Sequence, residues 1–276
     1  MPYYERKTIS GRLMEVERYH ATRDGRKIGR SENTEESTES QKRQNDVQAA
    51  NRLRRILLAN FSPDAGDLFA TLTIAQPVSA KEADDWWRRF LDRVKKERKA
   101  AGLPDVKWVK VKEKQSGRWH FHVVMNAGLS LDKLQELWGR HNRLTMSVLN
   151  DGDNYRGLSR YLVEGDKPRH GSGDPANAKE ERQKFKRRWS CSRNLAKPKV
   201  TKRQISPRTV MQLPKAPKGY RLLPEWTMGT DKFGSPFVRF ECVKDDAAGE
   251  AVRKTAGSSR ERAADKQRGA PRCLSE

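Results

Sequence analysis

Long apolar runs, paired cysteines and an excess of acidic side chains are all missing from this sequence of 276 residues. No stretch approaches the roughly 20 apolar residues that a membrane-spanning helix needs, and no basic-apolar-small signal peptide opens the chain. The three cysteines, Cys191, Cys242 and Cys273, are too few and too scattered for a disulfide framework or a Cys-x-x-Cys zinc site. We therefore expect no membrane span and a location in a reducing cytoplasm.

Positive charge is what the sequence has in excess. Lysine and arginine number 58 against 36 aspartates and glutamates, which gives a formal net charge of +22. A surplus of this size points first to nucleic acid as the partner, with an anionic membrane surface as the alternative. Only 34% of the residues are apolar, a share that predicts unpacked segments around one substantial domain or two small ones.

Two of the five histidines lie in one apolar run, Trp119-His120-Phe121-His122-Val123-Val124-Met125. On a strand, residues two apart point to the same face of the sheet. His120 and His122 can therefore present two imidazoles to one metal ion. The alternative is a pair of buried histidines that are satisfied by ordinary hydrogen bonds.

A carboxylate placed opposite these histidines favours the metal site. Val106 to Glu113 reads as a strand, and Ser116-Gly117 is a plausible two-residue hairpin turn. That turn pairs Glu113 with His120, and directly opposed residues share a face. Two imidazoles and one carboxylate suit a divalent cation, Mn or Mg. The same register puts Lys110 and Lys112 on the apolar face, so either they snorkel near a sheet edge or the turn differs by one residue.

The order of predicted elements is β-α-β-β-α-β. It predicts an α+β fold of the split βαβ type, an antiparallel sheet with helices packed on it and charged flexible termini. We divide the chain into a charged, partly disordered N-terminal extension (1–43), a central domain (44–200), a C-terminal β-hairpin extension (201–244) and a disordered tail (245–276).

A short helix, which Asp153 can cap and which ends at Gly165, carries two tyrosines. Tyr155, Leu158 and Leu162 fall on one stripe, which predicts that Tyr155 is a core residue. Tyr161 lies to the side of that stripe and can reach out from it. Tyrosine can act as a covalent nucleophile, but its ordinary pKa of about 10 means that it requires activation at neutral pH. A metal that polarises the electrophile can supply that help, so Tyr161 is the candidate nucleophile.

Three ordered pieces of the chain resemble the motifs of the HUH endonucleases. They are Phe69-Ala-Thr-Leu-Thr73, Glu113 with His120-Phe-His122, and Leu158-Ser-Arg-Tyr161-Leu-Val-Glu164. Within that superfamily, residues 45–200 resemble the rolling-circle replication initiators of phages, prophages and small plasmids. The order and spacing of the motifs carry the resemblance, because each motif alone is short.

The resemblance implies a DNA nicking-joining endonuclease with a tyrosine nucleophile in the cytoplasm of a bacterial host. It assigns the metal to Glu113, His120 and His122, and attack on one DNA strand to Tyr161, which stays joined to the 5′-phosphate. Many members carry lysine three residues after the tyrosine, whereas this chain has Glu164; Lys167 is a possible substitute. The chain also lacks a Gly-x-x-x-x-Gly-Lys-Ser/Thr loop, so a host helicase and polymerase are expected partners.

The basic stretch from Lys184 to Arg193 brackets Trp189. Arginines that follow phosphates and an aromatic ring that stacks on a base are the usual equipment for binding single strands; the alternative is a solvated edge strand or linker. We assign contact with single-stranded origin DNA to this stretch and to the hairpin turn, at Lys114, Arg118, Arg187, Arg188, Trp189 and Arg193.

Two other readings of the function stay open. A transposase or a plasmid relaxase would use the same chemistry. A non-enzymatic module that binds single-stranded nucleic acid on a similar sheet would read bases with sheet aromatics and would need neither a metal site nor a nucleophile. The shared face of Glu113, His120 and His122 argues against that module.

Overall fold

The computed structural model describes residues 2–21, 38–164, 189–231 and 234–245. The chain folds as two compact units, Ile28–Pro198 (the larger unit) and Met1–Lys27 with Lys199–Glu276 (the smaller unit). The described helices include none with the length and apolar character that spanning a bilayer requires. Residues 22–37 of the predicted N-terminal extension and residues 246–276 of the predicted tail lie outside the described residues.

The strands in chain order are β1 (Tyr3–Ser10), β2 (Leu13–His20), β3 (Leu68–Thr73), β4 (Trp108–Gln115), β5 (Arg118–Met125), β6 (Arg143–Val148), β7 (Ser190–Cys191), β8 (Lys199–Ile205), β9 (Tyr220–Leu222), β10 (Thr227–Thr230) and β11 (Pro236–Lys244). The helices are α1 (Glu39–Asn60), α2 (Ala80–Ala100), α3 (Leu131–Trp138) and α4 (Arg156–Glu164), with short helical turns at Pro63–Ala65 and Pro207–Val210.

The sheet of the larger unit has the order β6-β3-β5-β4-β7, and each neighbouring pair is antiparallel. Helix α2 connects β3 to β4, and α3 connects β5 to β6. This is the β-α-β-β-α-β plan with the first and third strands in the centre, so the predicted split βαβ fold is confirmed.

One face of this sheet packs against α2 and α3. Helix α2 begins at a capping box in which Ser79 and Glu82 satisfy each other's backbone N–H groups. Its stripe of apolar residues meets the alternate residues of the strands that point the same way. The core formed there includes Ala70, Leu72, Ala83, Trp87, Phe90, Leu91, Val94, Phe121, Val123, Leu134 and Trp138.

Helix α4 lies on the opposite face, where it also packs against α1. The Tyr161 ring contacts the rings of Phe69 and His122, which point away from the apolar core. Tyr155 is fully buried and its hydroxyl donates to the Phe61 carbonyl oxygen at 3.2 Å. Tyr155 is thus a core residue, as its place on the helix stripe predicts.

The β4–β5 hairpin has the predicted register. Ser116 and Gly117 both adopt positive φ, 51° and 77°, the combination that a two-residue hairpin turn needs. Glu113 pairs with His120, and Lys114 pairs with Trp119.

Lys110 and Lys112 snorkel across the apolar face, so the turn is not shifted by one residue. The Lys110 ammonium lies 4.8 Å from the centre of the Trp87 ring, and Lys112 donates to Asp84 at 2.7 Å. Burial lowers the pKa of Lys110 to about 8, although Asp84 acts in the opposite direction.

The smaller unit is built from both ends of the chain. Its sheet has the order β10-β11-β2-β1-β8, with β9 paired to β11. The structure therefore divides the chain differently from the expected extension at 1–43 and hairpin at 201–244. The hairpin of β10 and β11 is present, but β11 also pairs with β2, and β8 pairs with β1. Through these long-range pairings the N-terminal residues form strands of a sheet, which their weak local hydrophobic pattern does not predict.

Buried Glu5 ties the two ends of the chain together within this unit. Its carboxylate accepts hydrogen bonds from Arg18 at 3.0 Å and from Arg203 at 2.9 Å. Burial raises the pKa of Glu5, but the two guanidinium groups outweigh it and hold that pKa below its ordinary value. The pair of bonds fixes β1 between β2 and β8.

Candidate metal and nucleophile site

The face of the larger sheet that points away from the α2 and α3 core carries a group of polar side chains. Strand alternation places Thr71 and Thr73 of β3 on this face, beside His120 and His122 of β5. Thr73 pairs with His120 and Thr71 pairs with His122 across the two central strands. Glu113 of β4 stands on the other side of His120.

Each histidine is held by a threonine. The Thr71 hydroxyl lies 3.1 Å from Nδ1 of His122, and the Thr73 hydroxyl lies 3.0 Å from Nδ1 of His120. A hydroxyl can donate or accept, so either tautomer of each ring is satisfied. These contacts orient both rings through the same nitrogen, and Nε2 is the atom that remains for other partners.

His122 contacts both Glu113 and Tyr161. Its Nε2 atom lies 3.2 Å from Oε2 of Glu113 and 3.4 Å from the Tyr161 hydroxyl. The Phe69 ring stacks parallel to the His122 ring, with 6.0 Å between centres, and meets Tyr161 edge-on at 6.3 Å. The structure thus brings Tyr161 to the face where Glu113 and both histidines lie.

Burial and the neighbouring His122 lower the pKa of His120, while a hydrogen bond with the Gln115 backbone and the charge of Glu113 act in the opposite direction. The net effect favours the neutral ring. A neutral imidazole is the form that binds metal ions.

The side chains of Glu113, His120 and His122 are of the types that bind divalent cations, but their donor atoms do not surround a common point. Among the residues that the structure describes, no three His, Cys, Asp or Glu side chains stand close enough to form a metal cluster as placed. His122 and Glu113 contact each other directly. Two imidazoles oriented through Nδ1 and one carboxylate on the same face are nevertheless a donor set that Mn accepts.

The residues assigned to DNA contact fall in three places. Arg118 is exposed and shares the histidine face, and its charge contributes to the lowered pKa of His120. Lys114 reaches over the Trp119 ring at 5.7 Å, on the opposite face.

Trp189 is half-buried and Arg193 is exposed, in the segment that contains β7 and pairs with the edge of β4. Arg187, Arg188 and Lys167 lie outside the described residues. Glu164 is the last residue of α4 and is half-buried.

Thr71, Thr73 and Phe69 belong to the first of the three sequence motifs, and no function was predicted for them. The signal for their role was present in the alternation of β3, since the three residues share one parity. Finding it required the pairing of β3 with β5, which joins segments about 50 residues apart in the chain.

Residues 67–166 match the family model described as "Replication-associated protein ORF2/G2P". This segment is a little over a third of the chain, and it includes Glu113, His120, His122 and Tyr161. The match supports a replication initiator. No curated protein matches the chain.

Among solved structures, the chain is similar to the hypothetical protein ORF119 from Sulfolobus islandicus rod-shaped virus 1. The sequences are 14% identical, the TM-score is 0.32, and the alignment covers 44% of this chain and 97% of that one.

Proposed function

We propose that this protein is a replication initiator that cuts and rejoins one strand of DNA by using Tyr161 as the nucleophile and a divalent cation held by Glu113, His120 and His122. The observation that carries the proposal is the 3.4 Å approach of the Tyr161 hydroxyl to Nε2 of His122. The match to a family of replication-associated proteins supports the replication role. The substrate is single-stranded origin DNA in the cytoplasm of a bacterial host, where a helicase and a polymerase of the host would continue replication.

Thr71 and Thr73 are positioning residues for the metal. With the proton on Nδ1, each ring would donate to its threonine hydroxyl and leave Nε2 free to hold the ion. Because the backbone already places Glu113 opposite His120, gathering the three groups requires changes in side-chain torsions but not in the sheet. The cation, Mn or Mg, would polarise the phosphate and neutralise charge that develops during transfer.

The reaction exchanges one phosphate ester for another. A bond forms between the Tyr161 oxygen and phosphorus, and the bond from phosphorus to the 3′-oxygen breaks. The proton lost by the phenol is balanced by the proton gained at the 3′-oxygen, so the reaction needs neither ATP nor water. It therefore runs backward when a strand with a 3′-hydroxyl is supplied.

Covalent capture tests this mechanism. Single-stranded fragments that tile the replicon encoding the protein are labelled at the 3′ end, incubated with the protein and Mn, and resolved on a denaturing gel. The label stays with the 5′-phosphate fragment, so an adduct with Tyr161 appears as a shifted band. We expect this band in the wild type and its loss in Tyr161→Phe.

Tyr155→Phe is the matched control. It removes a hydroxyl from the same helical region but from the buried bond to the Phe61 carbonyl, so we expect lower stability and an intact adduct. An adduct that persists in Tyr161→Phe and vanishes in Tyr155→Phe would show that Tyr155, and not Tyr161, is the nucleophile. Cleavage without any adduct would mean that water is the nucleophile.

A further inference from the structure

Strand β6 forms one edge of the larger sheet, next to β3. Arg143 pairs with Thr73, which pairs with His120, which in turn pairs with Glu113, so these four residues lie side by side across the sheet. In the same way, Thr145 pairs with Thr71, the partner of His122, and Ser147 pairs with Phe69. We call Arg143, Thr145 and Ser147 the β6 row.

The face of the sheet that carries the histidines is open on the β6 side and covered on the β4 side. All three residues of the β6 row are exposed. On the same face of β4, Val109 and Val111 are buried. An extended molecule that reaches the histidines therefore has access across β6 and not across the centre of β4.

The chemistry of the β6 row suits a phosphodiester backbone. Arginine and the hydroxyls of serine and threonine are among the side chains that bind phosphate oxygens. The sequence of β6, Arg-Leu-Thr-Met-Ser-Val, contains no acidic residue that would repel phosphate. Two interstrand spacings, about 10 Å in all, separate the backbones of Arg143 and His120. The long Arg143 side chain can thus hold a phosphate close to one that lies at the histidines.

We propose that the β6 row binds the backbone of the single DNA strand that crosses the sheet toward His120, His122 and Tyr161. This inference deepens the proposed function and rests on it for the identity of the strand. Arg143 supplies the charge of the contact, while Thr145 and Ser147 supply hydrogen bonds. The row thereby sets which phosphate of the bound strand reaches the tyrosine.

Strand affinity measures the contribution of the row without requiring cleavage. Fluorescence anisotropy with a labelled oligothymidine strand is recorded across a range of salt concentrations for the wild type, Arg143→Ala, Arg143→Lys and Arg88→Ala. Arg88 is a matched control, because it is an exposed arginine on α2, which packs on the opposite face of the sheet.

We expect Arg143→Ala to weaken binding about tenfold, the size of one hydrogen-bonded charge contact. The slope of log K against log salt should become shallower by about 0.7, the value for one phosphate contact on a single strand. Arg143→Lys should restore the slope and part of the affinity, and Arg88→Ala should leave both near the wild-type values. The double variant Thr145→Val, Ser147→Ala should weaken binding without changing the slope.

Equal affinity and equal slope for Arg143→Ala and Arg88→Ala would overturn the inference. In that case, the β6 row does not bind DNA. Its polar residues would serve only to prevent aggregation at the exposed edge of the sheet. The covalent assay separates this failure from that of the proposed function. If the wild type forms the Tyr161 adduct while Arg143→Ala binds normally, only the β6 row is wrong; if no adduct forms, the anisotropy result still decides the row.

Nicking kinetics give a second readout of the same residue. A backbone contact remote from the reacting atoms contributes to ground-state binding, so Arg143→Ala should raise KM more than it lowers kcat. A fall in kcat with KM unchanged would contradict a binding role.

Discussion

The two faces of the larger sheet are built from the same strands and have opposite character. Toward α2 and α3, β3 and β5 present Ala70, Leu72, Phe121 and Val123, all buried in one apolar core. Toward α4, the residues that alternate with these present hydroxyls and imidazoles. The comparison teaches that one strand can pack an apolar core with one parity of its residues and assemble a polar cluster with the other, because successive side chains point to opposite faces.

Polar groups occur on both faces, but they are satisfied in different ways. On the apolar face, Lys110 and Lys112 extend their stems over aromatic rings and end near Asp84. On the other face, Nδ1 of each histidine lies against a threonine hydroxyl, and Nε2 of His122 lies near Glu113 and Tyr161. The two lysines thus pack over aromatic rings, whereas the two histidines have hydroxyl partners, which in our proposal orient them for a metal ion.

The sharpest way to test the contrast is to change neighbouring residues of β5. His122→Ala should abolish nicking in Mn while most DNA affinity remains, because affinity comes mainly from basic surface residues and His122 serves the proposed metal. Nicking assays and anisotropy on the same preparation measure the two effects. Nicking at the wild-type rate would remove His122 from the site.

Phe121→Ala is the control one residue away. It deletes a fully buried ring from the apolar face, and such deletions lower the free energy of unfolding by about 3–5 kcal/mol. We expect low stability by urea unfolding, with nicking reduced only in proportion to the unfolded fraction. If His122→Ala destabilises the protein as much as Phe121→Ala does, the two faces do not differ in the way described.

A smaller effect is expected from removing the Thr71 hydroxyl, which contacts Nδ1 of His122 from the neighbouring strand. Thr71→Val keeps the shape of the side chain and removes the hydroxyl that orients His122. Changes to such outer partners typically cost about 10–100-fold in metal affinity or activity. The Mn concentration for half-maximal nicking should rise accordingly, while the melting temperature changes little.

Thr201→Val makes the same chemical change on β8, a strand that pairs with β1 and with no strand of the sheet that carries the histidines. Its Mn requirement should match that of the wild type. A similar shift in both variants would show that Thr71 does not act through His122.

The smallest expected effect concerns the apolar face and depends on pH. Because the pKa of Lys110 is lowered to about 8, the folded protein binds fewer protons than the unfolded chain between pH 8 and the ordinary lysine pKa. Stability contributed by this group therefore rises with pH through that window and is lowest below it. Lys110→Met should remove this rise and be at least as stable as wild type at neutral pH, with a difference of about 1–3 kcal/mol.

Urea unfolding at neutral pH and near pH 10 measures the effect, with exposed Lys95→Met as the control for loss of one charge. Parallel pH profiles for wild type and Lys110→Met would show that the ammonium is better solvated than its position beside Trp87 indicates.

Local patterns in the sequence were enough for the hairpin, helix α2 and the position of Tyr161 relative to the packed stripe of α4. A two-residue turn sets the register of the strands beside it, so Glu113 could be paired with His120 from sequence alone. The Ser79 capping box and the apolar repeat of α2 depend on residues within a few positions of each other. The assignment of metal and catalytic roles to these residues remains a prediction.

Long-range pairing was decided only by the tertiary structure. The pairing of β1 with β8 and of β2 with β11 joins segments about 190 to 230 residues apart, and no local periodicity specifies such partners. The contacts of Thr71 and Thr73 with the histidines, and the position of the β6 row beside them, likewise depend on which strands pair with β3. Periodicity assigns a residue to a face of its own strand, whereas the neighbours it meets there are chosen by the packing of the whole sheet.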